Sequence, residues 1–161
     1  MAASLFQDVP LKAKVVGWGI IFIPLVVLLL LAAIFLRPEP INQRLVWGCY
    51  VAANAPPLDI REDAIYIIEP ARRKFSYIAE PSKTSYQLNV RPALLLKRMP
   101  TGHYQFLSTR GIGFFWPLLP APGKNRDRMR HPEEYAGRIQ IAADGGGVVY
   151  SRKSDADACR Q

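Results

Sequence analysis

The sequence predicts a mainly β protein: one N-terminal transmembrane helix followed by a small antiparallel β-barrel or sandwich of eight or nine short strands. Two observations lead there. Residues Val15 to Leu36 carry no charge, and 16 of these 22 are Val, Ile, Leu or Phe. After them the pattern changes to short stretches of period two, separated by Pro, Gly, Asp and Asn.

The apolar segment comes first. At 1.5 Å rise per residue it makes roughly 33 Å of helix, enough to cross a hydrocarbon core of about 30 Å. Each large apolar residue gains ~0.3–0.6 kcal/mol at the bilayer centre, on the order of 5–10 kcal/mol in sum. A cleavable signal peptide would have a shorter apolar core with a small-x-small site close behind it. Here the run ends in Ile34-Phe35-Leu36 and Arg37-Pro38, and the nearest such triplet, Ala53-Asn54-Ala55, lies far downstream. A soluble core helix of this length would show a polar face, which is missing. The expected span therefore runs from Val15 through Trp18 and Pro24 to Leu36, preceded by a short tail over residues 1–14. Pro24 withholds a donor from the carbonyl of Ile20, which suits a kink that membrane helices tolerate.

Lys12 and Lys14 before the span balance Arg37 and Arg44 after it, so the positive-inside rule does not orient the chain. A short tail and a long following domain are the layout of a signal anchor. The expectation is a single-pass protein of a bacterial inner membrane, N-terminus cytoplasmic and domain periplasmic.

Residues 37–44 read as a Pro-rich linker, because Pro38 and Pro40 favour extended chain. The β-rich domain is expected over 45–153, with a tail over 154–161. Arg44 to Ala52 alternates as a first strand. Leu58 to Ile60 and Ala64 to Ile68 flank a turn at Arg61-Glu62-Asp63. Lys74 to Glu80 places Phe75, Tyr77 and Ala79 on one face, and Tyr86, Leu88 and Val90 do the same. Ala93 to Lys97 and Tyr104 to Ser108 surround the turn Pro100 to His103. Ile112 to Trp116 is an apolar strand ended by prolines. Ile139 and Ile141 lead through Asp144-Gly145-Gly146-Gly147 into Val148 to Tyr150, a hairpin. Pro132 followed by Glu133 and Glu134 suits a single helical turn.

Without Lys12, Lys14 and Asp8, the chain from Arg37 on holds 19 basic and 12 acidic residues, a net of +7. Beside a bilayer such a charge is drawn to anionic head groups or an acidic partner. The charges are scattered and an anchor precedes them, so nucleic acid is not the expected partner.

Cys49 and Cys159 are open to two readings: a disulfide that pins the tail to the first strand in an oxidising compartment, or two free thiols. His103 and His131 stand alone, without ligand spacing or a nucleophile motif. The adjacent acids of Glu62-Asp63 and Glu133-Glu134 diverge as neighbours do. No catalytic residues, cofactor or metal are expected. Gly111-Ile112-Gly113 lacks the third glycine and following helix of a dinucleotide site. The aromatics Phe114, Phe115 and Trp116 fit either a strand buried on both faces or, with Leu118 and Leu119, a patch that meets a membrane or a partner. Lys124, Arg126, Arg128 and Arg130 form a basic loop behind them, a solvated loop or a seat for anionic groups.

Trp47-Gly48-Cys49-Tyr50, then Pro56-Pro57-Leu58 and an alternating hairpin, resembles the opening of lipocalin-type barrels over some fifteen residues, with the glycine and tryptophan in reversed order. No binding residues carry over. Two functions follow as expectations. The first is a membrane-tethered, non-enzymatic accessory subunit that contacts another membrane-complex protein, with lipids touching the anchor. The second is a barrel that holds a lipid or other apolar ligand in a cavity lined by residues such as Trp47, Tyr77 and Phe106.

Overall fold

The structure, a computed structural model, describes residues 10–35, 38–123, 128–154 and 157–159. It divides into two units, the chain up to Pro38 and the chain from Glu39 on.

The first unit is helix α1, Leu11–Phe35. Leu, Val and Ile crowd every side of it, and within it Val16–Ile34 is apolar and long enough to cross a membrane. Large side chains from Val16 to Ile34 remain exposed all round, as suits a signal anchor or a signal sequence. Pro24 lies inside the helix, and Trp18 stacks on Phe22 with ring centroids 5.2 Å apart. Leu36, the expected end of the span, is outside the described residues.

The second unit is a β-barrel. Its strands are β1 (Gly48–Ala52), β2 (Ala55–Ile60), β3 (Ile65–Ile67), β4 (Arg73–Pro81), β5 (Tyr86–Arg91), β6 (Ala93–Arg98), β7 (Tyr104–Thr109), β8 (Phe115–Pro120), β9 (Tyr135–Ala143) and β10 (Gly146–Lys153). Eight of them, β1 to β5 and β8 to β10, pair antiparallel with their neighbours in chain order, and β10 closes on β1. The cylinder is thus an up-and-down barrel with one hairpin, β6–β7, inserted between its fifth and sixth staves. The hairpin touches β9 through one parallel pair, Leu96 with Ala143.

Closure removes the edges that an open sheet would expose. Alternation then sends one face of each stave inward. Tyr50, Leu58, Ile65, Ile67, Leu88, Val90, Trp116, Leu118, Ile139, Ile141 and Tyr150 are all buried in one core. Strand directions place the hairpin at one mouth. There Leu94, Leu96 and Phe106 enter the same core, with Phe106 6.1 Å from Trp116 and 6.4 Å from Tyr150 between ring centroids. Ile41, Val46 and Met129 enter the core from the chain at the opposite mouth.

Some local expectations shift. The segment from Arg44 does not begin as a strand: Asn42 Oδ1 accepts from the Arg44 N–H at 3.0 Å and starts a 3-10 turn, Gln43–Val46. Ile41, within the segment expected as a linker, is buried. The apolar strand expected at Ile112 to Trp116 lies later, at Phe115–Pro120, because a barrel stave can place prolines where no ladder donor is needed. Ten strands form, the hairpin accounting for the two beyond the eight staves. The expected helical turn is a 3-10 turn at Pro132–Glu134.

Candidate functional site

Buried side chains from every stave meet in one core inside the barrel, and exposed apolar and charged residues stand on its outer wall. Tyr77, expected to line a cavity, accepts a hydrogen bond from Trp47 Nε1 at 3.0 Å and donates to the Arg61 carbonyl at 2.7 Å. Phe106 is packed against Trp116 and Tyr150. Tyr77 and Phe106 belong to the core cluster, and Trp47 packs against it. The buried tyrosine hydroxyls are matched: that of Tyr50 lies 2.8 Å from both the Val46 carbonyl and the Tyr135 hydroxyl, and that of Tyr150 donates to the Pro56 carbonyl.

The aromatic run splits by strand parity. Trp116 points inward with 0% exposure and donates Nε1–H to the Gly113 carbonyl at 3.1 Å, so it is a core residue and not a contact residue. Leu118 and Leu119 are buried too. Phe114 is half-buried, while Phe115 points outward and is 54% exposed. Register sets Asn89 of β5 opposite both Phe115 of β8 and Ile78 of β4, so the three side chains form one row on the outer wall. Ile78 is 58% exposed, and Ile112, just before β8, is 61% exposed. Sequence reasoning missed Ile78; the signal was an isoleucine on the polar face of the Phe75–Tyr77–Ala79 alternation.

Lys124 and Arg126 lie outside the described residues. Arg128 and Arg130 are exposed, yet Met129 between them is buried. The Met129 N–H donates to Ser85 Oγ at 3.1 Å, and the Arg130 N–H to Glu134 Oε2 at 2.7 Å. His131 Nδ1 lies 3.5 Å from Glu39 Oε2, which places the start of the barrel unit beside this loop. The loop is therefore a buried methionine anchor with cations displayed on either side.

Cys49 and Cys159 form a disulfide, Cα to Cα 5.9 Å, that holds the 3-10 turn Asp157–Cys159 against the outside of β1 and β2. The free-thiol alternative is set aside.

On the wall of β2 to β4 the cations are satisfied locally. Asp59 accepts from Arg61 Nε at 2.7 Å and Arg72 Nη2 at 3.3 Å, and the Arg72 guanidinium stacks 4.7 Å over the Tyr66 ring. Lys74 Nζ at 2.7 Å and the Tyr66 hydroxyl at 2.8 Å hold the Asp63 carboxyl below its usual range. At the hairpin mouth an open cleft of about 490 Å³ is lined by residues including Asn54, Pro56, Glu69, His103 and Tyr104. Glu69 pairs with Arg73 at 2.8 Å there.

Compared with known protein families, curated proteins and solved structures, the chain finds no match. The geometry therefore carries the functional argument by itself.

Proposed function

We propose that the chain is a membrane-anchored interaction subunit whose barrel is a rigid module displayed outside the cytosol, and whose outer wall around Phe115 contacts another protein of the same membrane. The row Ile78–Asn89–Phe115 with Ile112 carries this reading: Ile78, Ile112 and Phe115 are each more than half exposed, more so than the other exposed large apolar residues of the barrel unit. A rigid wall of this kind loses little conformational freedom on binding, and exposed aromatics are favoured anchors at interfaces. The disulfide supports a compartment that oxidises thiols, hence a barrel on the far side of the membrane from the cytosol. Three residues separate Phe35, the last helical residue, from Glu39, the first of the barrel unit.

A photoreactive phenylalanine analogue at position 115, activated in intact membranes, is expected to give a discrete higher-mass adduct. The same probe at exposed Lys153 on the seam between β10 and β1 is the control. Recovery of uncrosslinked monomer alone from position 115 would refute the contact. The rival reading, a carrier of an apolar ligand, is disfavoured by the packed core. Native mass spectrometry of the detergent-solubilised protein is expected to give the mass of the chain without a retained small molecule.

A further inference from the structure

We propose that β7 is a docking edge that takes an extended acidic segment of a partner polypeptide as an added strand. The inference rests on the reading of the barrel as an interaction module and names the chemistry of one of its partners.

β7 ends the ten-stranded order and pairs only with β6. Its Tyr104 N–H donates to the Asn54 carbonyl at 2.6 Å, and its Phe106 carbonyl accepts from Arg73 Nη2 at 3.1 Å. Both bonds run away from β6, so alternate residues of β7 turn their backbone groups to the open side. Asn54 and Arg73 occupy the first half of that side. In the second half, Ser108 has the same outward parity, and Leu107 and Ser108 are exposed. Among the described residues no backbone bond outside the strand ladder reaches Ser108. An unpaired edge of this kind is a template for a further strand.

Charge selects the occupant. From Pro81 to Gly123 the chain holds no Asp or Glu. Arg98, the register partner of Tyr104, and neighbouring Lys97 stand at one end of β7; Arg110 follows its other end, and Arg91 precedes the hairpin. All four are exposed, and among the described residues none is in an ion pair. Pairing β7 with β7 of a second copy would bring these cations together, and like charges across strands are destabilising. An acidic segment turns the same charges into attraction and satisfies the edge.

The test uses the full-length protein in phosphatidylcholine nanodiscs and a fluorescein-labelled octapeptide with a Thr-Val-Thr-Val centre and two glutamates at each end. Saturable binding is expected by fluorescence anisotropy. Methylating the central peptide nitrogens, which leaves charge untouched, is expected to weaken it about tenfold or more, as is the pair Arg98→Glu with Arg110→Glu. Equal binding of the methylated peptide would overturn strand addition. Failure of the octapeptide where oligothymidylate or phosphatidylglycerol vesicles bind would overturn the choice of a polypeptide. If the octapeptide fails while the position-115 adduct persists, the docking edge is wrong and the interaction reading stands.

Discussion

Gly113 gives the Gly-x-Gly beside the aromatic run a structural role. Its φ is +92°, and a Cβ there would stand 2.2 Å from the Leu94 carbonyl oxygen, a backbone atom that cannot swing aside. Its own carbonyl accepts from the Leu94 N–H at 3.2 Å and from the Trp116 indole. Gly113→Ala is expected to cost roughly 2–4 kcal/mol, as strain and displacement of the plugging hairpin combine. Thermal unfolding of the full-length protein in detergent checks it, with Gly111→Ala, which meets open space, as the mild control. The tyrosines give a second residue-scale expectation. Burial pushes Tyr77 up to about 12, and burial likewise raises Tyr135 and Tyr150 above the ordinary phenol range. An unfolded chain ionises these phenols near pH 10 while the folded one keeps them neutral. Above that pH the unfolded state binds fewer protons, so stability is whole below about pH 10 and falls as pH rises through 12. Denaturant titrations at pH 8 and pH 11 should show the loss, smaller in Tyr77→Phe. Tyrosinate absorbance should rise together with unfolding.

Elements were legible where one periodicity governed them. Lys74 to Glu80 and Tyr86 to Val90 alternate cleanly, because each has one face in the core and one in water. The strand at Phe115–Pro120 lies later than expected because Pro117 and Pro120 look like terminators, whereas Pro117 faces outward, where a proline costs little, and Pro120 ends the stave. The inside-outside split of Phe115 and Trp116 was not legible, since consecutive aromatics satisfy either parity until register is known. Neither was the role of β6–β7: its Leu94, Leu96 and Phe106 read as an ordinary hairpin face, and only three-dimensional closure makes them a stopper. α1 was legible from composition alone. Leu25→Arg with Leu29→Arg adds roughly 5–7 kcal/mol to the insertion cost, comparable to the whole gain of the span. The double variant is expected to leave the carbonate-resistant membrane fraction, while Leu25→Ala with Leu29→Ala stays in it.

At the scale of the molecule, one covalent bond ties the first stave to the chain beyond the last. Cys49 and Cys159 close a loop with a sequence separation of 110. Restricting so long a loop in the unfolded state is worth about 4–5 kcal/mol by chain entropy. The pair Cys49→Ser with Cys159→Ser is therefore expected to lower the unfolding midpoint clearly. The native protein should resist maleimide labelling until it is denatured and reduced. An unreduced chain that labels fully at both positions would contradict the bond. The sequence supplied both cysteines but not their pairing, because only the barrel brings the 157–159 turn beside β1.

The β10–β1 seam also bears on synthesis. The last stave to leave the ribosome must find the first, so a nascent chain halted before Gly146 has every earlier stave and cannot complete the cylinder. Its outer strands would remain unpaired, open to neighbouring chains, for as long as elongation takes. Truncation at that point should therefore yield a sticky, protease-sensitive product, however many staves it already contains.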